Sequence, residues 1–263
     1  MIQNSKIGII GCGWLGFPLA KLLLNKNYLI KGSSTSKEKL LELKSNKIDP
    51  YYIEITEKGI IGDIDSFLDE IDVLIINIPP KIKSLPSENY SKKIQLIANK
   101  AEKRLIDKII FISSTSVYGS NQGKINSSTN PIPSSKNGVE ILQSEKIISK
   151  NKNCTIIRFG GLIGSNRHPV HSLTKKNEVL NPKAPINLIH LEDCIQIIYS
   201  IILKEVWGKI CLGVSPYHPT RENYYNTKCE ALGLKRINFV NDTTINKEVT
   251  DSKILKEVNY NFI

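Results

Sequence analysis

The amino-acid sequence predicts an α/β fold in which helices cover both faces of a parallel sheet. Three observations carry that prediction. Strand-like and helix-like apolar patterns alternate through the first 160 residues, the signature of repeated βαβ units. The runs Val73–Ile78 and Lys108–Ser113 are strongly apolar, as expected of strands buried on both faces. The chain also opens with Gly11-Cys12-Gly13-Trp14-Leu15-Gly16, a G-x-G-x-x-G set between a strand pattern and a helix pattern. Right-handed crossovers between such units give a doubly wound sheet of the Rossmann type.

Ile7–Ile10 reads as the first strand, and Phe17–Leu24 has helical apolar spacing. Tyr28–Lys31 is the second strand. A helix runs from Ser36, whose hydroxyl suits an N-cap, to Leu43. Tyr51–Ile55 is a short third strand, and Val73–Ile78 a fourth that Pro79-Pro80 stops. A helix over Tyr90–Arg104 precedes the strand Lys108–Ser113. Gly138–Lys150 is helical, and Cys154–Phe159 is a sixth strand. After Gly160 the pattern loosens. Short strands, Ile186–Ile189 and Ile210–Gly213, alternate with helices over Leu191–Leu203 and Thr220–Leu232. The expected division is a dinucleotide-binding Rossmann domain over residues 1–160 and a small C-terminal substrate lobe, partly interleaved with it, over 161–263. Such folds bind ligands at the C-terminal edge of the sheet.

With 263 residues, 40% of them hydrophobic, the chain can bury a sizeable core. Cys12, Cys154, Cys194, Cys211 and Cys229 are scattered and form no C-x-x-C pair. That argues against a disulfide framework or a zinc site and suits a reducing cytoplasm. No His, Asp, Glu and Cys cluster has metal-ligand spacing, and no Gly-x-Ser-x-Gly marks a hydrolase elbow. No apolar stretch is long enough for a bilayer, and the first apolar run lacks the basic flank of a signal peptide. The expected setting is the cytoplasm, with no membrane partner. The net charge of +11 arises from lysines spread along the whole chain. We read it as a solvated basic surface that favours anionic small molecules, not as a nucleic-acid site.

Each glycine of the opening motif has a physical task. Gly11 permits a tight turn, Gly13 leaves room for a pyrophosphate, and Gly16 lets the helix pack closely. The helix N-terminus offers unpaired N–H groups and a partial positive charge to the phosphates. Gly11, Gly13, Trp14, Leu15 and Gly16 are therefore expected to contact a nicotinamide dinucleotide. Ile78, Pro79 and Ser113, at later strand ends, complete that expectation. NAD sites usually place an acid at the end of the second strand, to accept from the ribose 2′-OH. Here that region reads Ser33-Ser34-Thr35-Ser36-Lys37, with no carboxylate before Glu38. Ser34, Thr35, Ser36 and Lys37 suit a 2′-phosphate, so NADP is expected, with NAD the alternative. The competing reading is that Ser36 only caps its helix and Lys37 faces solvent.

Phe111-Ile112-Ser113-Ser114-Thr115-Ser116-Val117-Tyr118-Gly119 adds a second signature. With the glycine motif, it resembles the extended short-chain dehydrogenase/reductases, the NAD-dependent epimerase/dehydratase family. Ile157–Gly164 resembles the family segment that passes the nicotinamide, and Pro185–Asp193 its later strand-to-helix element. The GCGWLG form and the short chain look most like the atypical YeeZ-like subgroup. The resemblance spans nearly the whole chain. It implies an NAD(P)-dependent oxidoreductase or epimerase acting on a nucleotide sugar or related carbonyl or hydroxyl compound. It also implies a homodimer.

In that family a Tyr is the general acid/base, a Lys lowers the Tyr pKa and holds the nicotinamide ribose, and a Ser or Thr bonds the reacting oxygen. The serine maps to Ser114. Aligned on Glu145, the Tyr falls at Asn137 and the Lys at Ile141. The Tyr-x-x-x-Lys is thus degenerate, since Asn does not titrate usefully and Ile carries no charge. Tyr118 is the substitute acid to consider beside Ser114. Ser116, Asn137, Arg167 and His168 are the expected substrate contacts, the last two suited to an anionic substrate. Lys136 adjoins the vacated position. Tyr224 and Lys228 form a Tyr-x-x-x-Lys far from the family position and read as a helix surface. His190 reads as structural, Arg158 as a brace for the sheet, and Arg221 as part of a first helical turn. Loss of the Tyr/Lys pair beside intact glycines leaves a second reading, a catalytically inactive NADP(H)-binding sensor or regulatory protein.

Overall fold

The computed structural model describes residues 5–80, 89–164, 167–241, 246–250 and 253–262. The first unit is β1 (Lys6–Ile10), α1 (Gly16–Asn25), β2 (Leu29–Ser34), α2 (Lys37–Ser45) and β3 (Asp49–Tyr52). A hairpin follows, β4 (Glu54–Thr56) and β5 (Gly59–Ile61), then α3 (Ile64–Leu68) and β6 (Val73–Ile76). Next come α4 (Tyr90–Lys103), β7 (Lys108–Ser114), a 3-10 turn (Thr115–Val117), β8 (Lys124–Ile125), α5 (Lys136–Ile148) and β9 (Cys154–Phe159). The remainder holds β10 (Gly161–Ile163), α6 (Val170–Leu173), β11 (Val179–Leu180), β12 (Leu188–His190), α7 (Leu191–Leu203) and β13 (Ile210–Gly213). It closes with α8 (Arg221–Ala231), β14 (Phe239–Val240), β15 (Glu248–Val249) and α9 (Lys253–Glu257).

Among the described residues, seven parallel strands form the main sheet in the order β13-β9-β7-β6-β1-β2-β3. The direction of winding reverses between β1 and β6. A crevice opens at such a switch point, beyond the C-terminal ends of the strands. Apolar side chains fix the two layers. Leu19 and Leu23 of α1 join Ile195, Ile198 and Ile202 of α7 on one face. Phe67, Ile94, Ile97, Ile141 and Ile148 bring α3, α4 and α5 onto the other. Each such side chain, fully buried, contributes roughly 1.5–3 kcal/mol. Val170, Leu188, Tyr225, Cys229 and Ile237 form a separate apolar cluster.

Several boundaries differ from the sequence reading. β2 runs on to Ser34 because Ser33 and Ser34 pair with Tyr51 and Tyr52 of β3. Their hydroxyls mimic a loop composition, but the ladder continues through them. β3 starts at Asp49, and Glu54–Thr56 turns away to pair with Gly59–Ile61. β6 ends at Ile76, before the expected Ile78. β13 pairs with β9 at the edge of the main sheet, and α7 packs against α1. The chain after residue 160 therefore supplies both that separate cluster and an edge of the central sheet. No described helix is long and apolar enough to cross a membrane.

Candidate functional site

A cavity of about 670 Å³ lies beyond the ends of β1, β6, β7 and β9. Gly11, Gly13, Trp14 and Leu15 form one wall. The three motif glycines are required for different reasons. Gly11 has φ +97°, and a Cβ there would sit 2.6 Å from the Asn77 carbonyl oxygen. A Cβ on Gly16 would sit 2.3 Å from the Gly11 carbonyl oxygen. Gly13 is unlike both, because a Cβ there would meet nothing within 4 Å among the described residues. The protein itself does not demand glycine at 13, and the open space in front of it is the cavity. The turn is pinned from both sides. Gly11 N–H donates to Ser33 Oγ (3.1 Å), and Asn77 Nδ2 donates to the Gly11 carbonyl (2.9 Å). Burial pushes the Cys12 thiol up to about 12, so it stays neutral and fills space.

Ser34 and Thr35 line the cavity at the end of β2, with Glu54, Ile55 and Thr56 beyond them. Ser36 and Lys37 do not line it. Ser36 Oγ instead accepts from Lys39 N–H (3.2 Å) and donates to Glu38 (2.6 Å). The helix-capping reading is the observed one: α2 begins at Lys37, and its first N–H groups need that oxygen.

Across the cavity lie Ile78 and Pro79, then Ser113 and Ser114 of β7. Ser114 Oγ accepts from Ser116 N–H (3.1 Å), which holds the turn after the strand. Asn137 and Ile141 of α5 also line the cavity. They are the residues that stand where the resemblance places the acid/base Tyr and its Lys. Ser135 caps α5 by accepting from Gly138 N–H (3.1 Å), which fixes this wall.

Beneath that wall is a buried polar network. Ser113 Oγ donates to Glu145, which pairs with Arg158 through two contacts (Nε–Oε1 2.9 Å, Nη2–Oε2 2.6 Å). Arg158 Nη1 also donates to the Tyr118 hydroxyl (2.6 Å). Ser113 and Arg158 are cross-strand partners, so they share the face that α5 covers. Arg158 thus ties β9 to α5. Tyr118 is only 1% exposed, burial raises its pKa, and its hydroxyl is committed to Arg158. It does not reach the cavity and is not placed to act as an acid there. Ser116 does not line the cavity either; its Oγ is buried with no hydrogen-bond partner among the described residues.

His168 is also elsewhere. Its Nε2 meets the Tyr224 hydroxyl (3.1 Å), and its Nδ1 accepts from Val170 N–H (3.2 Å) at the start of α6. Tyr224 therefore packs against the Val170 cluster, and Lys228 is exposed on the same helix. His190 accepts from Glu192 N–H (3.3 Å) and caps α7, and Arg221 donates to the Leu180 carbonyl (2.7 Å). Arg167 does line the cavity, with its guanidinium 4.9 Å from the Trp14 ring centroid.

Sequence reasoning missed Glu54, Tyr90 and Lys93, which also line the cavity. Tyr90 donates to the Ile78 carbonyl (3.0 Å), and burial raises its pKa, so it is a structural phenol. Ser91 N–H donates to Glu140 (3.1 Å), which brings the first turn of α4 beside α5 and carries Lys93 with it. The signal was topological: in a βαβ unit the helix that follows β6 starts at the ligand edge.

No family model matches the chain. Protein YeeZ of Escherichia coli K12 is 31% identical over 264 residues, covering 98% of this chain and 96% of YeeZ. The chain belongs to the extended short-chain dehydrogenase/reductases, the NAD-dependent epimerase/dehydratase family, and is YeeZ-like. An uncharacterized UDP-glucose epimerase of Bacillus subtilis, YtcB, is 24% identical over 63% of the YeeZ-like chain and 60% of its own length. Solved structures share the fold. The UDP-glucuronic acid 4-epimerase of Bacillus cereus, in complex with NAD, has a TM-score of 0.79 at 19% identity, covering 98% of this chain and 93% of its own. The dTDP-glucose 4,6-dehydratase of Bacillus anthracis, also with NAD, reaches 0.80 at 14% identity, covering 98% and 92%.

Proposed function

We propose that this YeeZ-like protein binds a nicotinamide dinucleotide in the cavity and acts as an oxidoreductase or epimerase on a nucleotide sugar or related carbonyl or hydroxyl compound. The observation that carries the reading is Gly13: no atom of the described residues explains it, and a pyrophosphate against the backbone does. The dinucleotide, when bound, supplies or takes the hydride. Gly11, Gly13, Trp14 and Leu15 hold its phosphates, Ile78, Pro79 and Ser113 border its nicotinamide half, and Gly16 keeps α1 close to the turn. Ser114 hydrogen-bonds the reacting oxygen, and Asn137 is a substrate contact. NADP is favoured over NAD because Ser34 and Thr35, and no carboxylate of β2, line that end of the cavity. Lys37 stands away from the cavity and Glu54, beyond β2, lines that same end, so the preference rests on the hydroxyls of Ser34 and Thr35 alone. UDP-sugar enzymes among the structural relatives support the substrate class. The five cysteines, all free and buried, support a reducing, cytoplasmic setting. The family resemblance supports a homodimer.

A second reading has its own observation. Asn137 and Ile141 occupy the wall where the family keeps its acid/base pair. A protein that binds NADP(H) and signals through a partner needs neither titrating side chain.

The test mixes the protein with NADPH or NADP and with UDP-glucose or UDP-glucuronate, and follows the nicotinamide absorbance and sugar epimerisation. Turnover that falls about 100-fold in Ser114→Ala supports the enzyme. Tight dinucleotide binding without turnover on a wide carbonyl panel supports the sensor.

A further inference from the structure

We propose that Arg167, carried by the segment after the main Rossmann unit, is a ligand of the dinucleotide's pyrophosphate and couples that segment's position to cofactor binding. The proposal rests on the dinucleotide reading above. Three observations support it. Arg167 lines the same cavity as Gly11, Gly13 and Leu15, and its guanidinium lies 4.9 Å from the ring centroid of Trp14, which follows Gly13 just before α1. The backbone under it is fixed: Arg167 N–H donates to the Gly164 carbonyl (3.0 Å), and Gly164 N–H donates to the Arg167 carbonyl (2.9 Å). That bridge lies close against the indole, since a Cβ on Gly164 would sit 2.9 Å from Trp14 Cζ2.

A guanidinium held over a ring by cation–π attraction can still meet an anion bidentately through its N–H groups. The anion that belongs beside Gly13 and the N-terminus of α1 is a phosphate. Gly161, Leu162 and Arg167 are the described residues after Gly160 that line the cavity, and Arg167 alone of these three carries charge. Binding energy gained there acts on the segment that continues into α6 and the Val170 cluster. Arg167 is therefore assigned to the cofactor, and not to the substrate as the sequence suggested.

The test titrates NADPH, ADP and adenosine into wild type, Arg167→Gln and Arg167→Lys by calorimetry, after thermal melts confirm folding. Arg167→Gln is expected to weaken NADPH and ADP about tenfold or more and leave adenosine unchanged, with Arg167→Lys in between. Equal affinity of wild type and Arg167→Gln for NADPH and ADP overturns the assignment and leaves the dinucleotide reading standing. An equal loss for adenosine also overturns it, since the residue would then only shape the loop. Wild type that binds neither NADPH nor ADP overturns the dinucleotide reading itself.

Discussion

The half of the cavity built by β1, α1 and β2 and the half built by β7 and α5 are made by different means. In the first, the backbone does the work. Gly11 and Gly16 are fixed by carbonyl oxygens closer than any Cβ permits, and Ser33 and Asn77 pin the turn. In the second, the scaffold is equally firm, through Ser113, Glu145, Arg158 and Tyr118, but the chemistry depends on which side chains decorate it. Asn137 and Ile141 stand in that wall, and Ile141 is also buried in the core beside it. Close backbone approach constrains sequence tightly, whereas a supported wall tolerates a change of function. Dinucleotide binding is thus expected to persist whatever has become of the acid/base chemistry.

The largest effect concerns the support of the second half. Glu145 and Arg158 are each 4% exposed in their side chains. Glu145→Ala strands a buried guanidinium and should cost about 3–5 kcal/mol in urea unfolding. The double variant Glu145→Leu with Arg158→Met should recover much of the loss. If the single variant costs nothing, the network is not the support described. The glycines give the next contrast. Gly16→Ala should destabilise by about 3 kcal/mol, while Gly13→Ala should stay within about 0.5 kcal/mol of wild type. Equal costs at the two positions would erase the distinction between packing and ligand demand.

A third prediction sharpens the comparison by restoring side chains to the wall. Asn137→Tyr with Ile141→Lys should raise hydride transfer about 100-fold on any substrate found and tighten dinucleotide binding, in protein that thermal melts show to be folded. The smallest effect is a pH slope. Lys247 donates to the Thr115 and Tyr118 carbonyls behind Ser114, and burial lowers its pKa from the usual 10.5. Between the folded and unfolded values the unfolded chain binds more protons, so stability rises as pH climbs through that interval. Lys247→Met should lose this slope in melts recorded from pH 7 upward.

The fold was legible because apolar runs and turn glycines reflect burial and backbone geometry directly. The runs at Val73 and Lys108 needed only their composition to be placed inside. Ser33 and Ser34 were misread because a hydroxyl-rich ladder looks like a loop. At the site, Gly13, Trp14, Ser114, Asn137 and Arg167 could be located from the motifs and their spacing. Tyr118, Ser116 and His168 could not be excluded, since only the three-dimensional register turns their side chains away. Lys93 and Tyr90 carried no motif, and the packing of α4 on α5 placed them.

The central claim is that the space before Gly13 takes a dinucleotide pyrophosphate, and the direct measurement is calorimetric titration of NADPH into wild type and Gly13→Ala. The account predicts saturable binding by wild type and at least tenfold weaker binding by a Gly13→Ala protein that melts like wild type. Folded wild type that binds no NADPH or NADH, or a Gly13→Ala variant that binds as tightly, would contradict it.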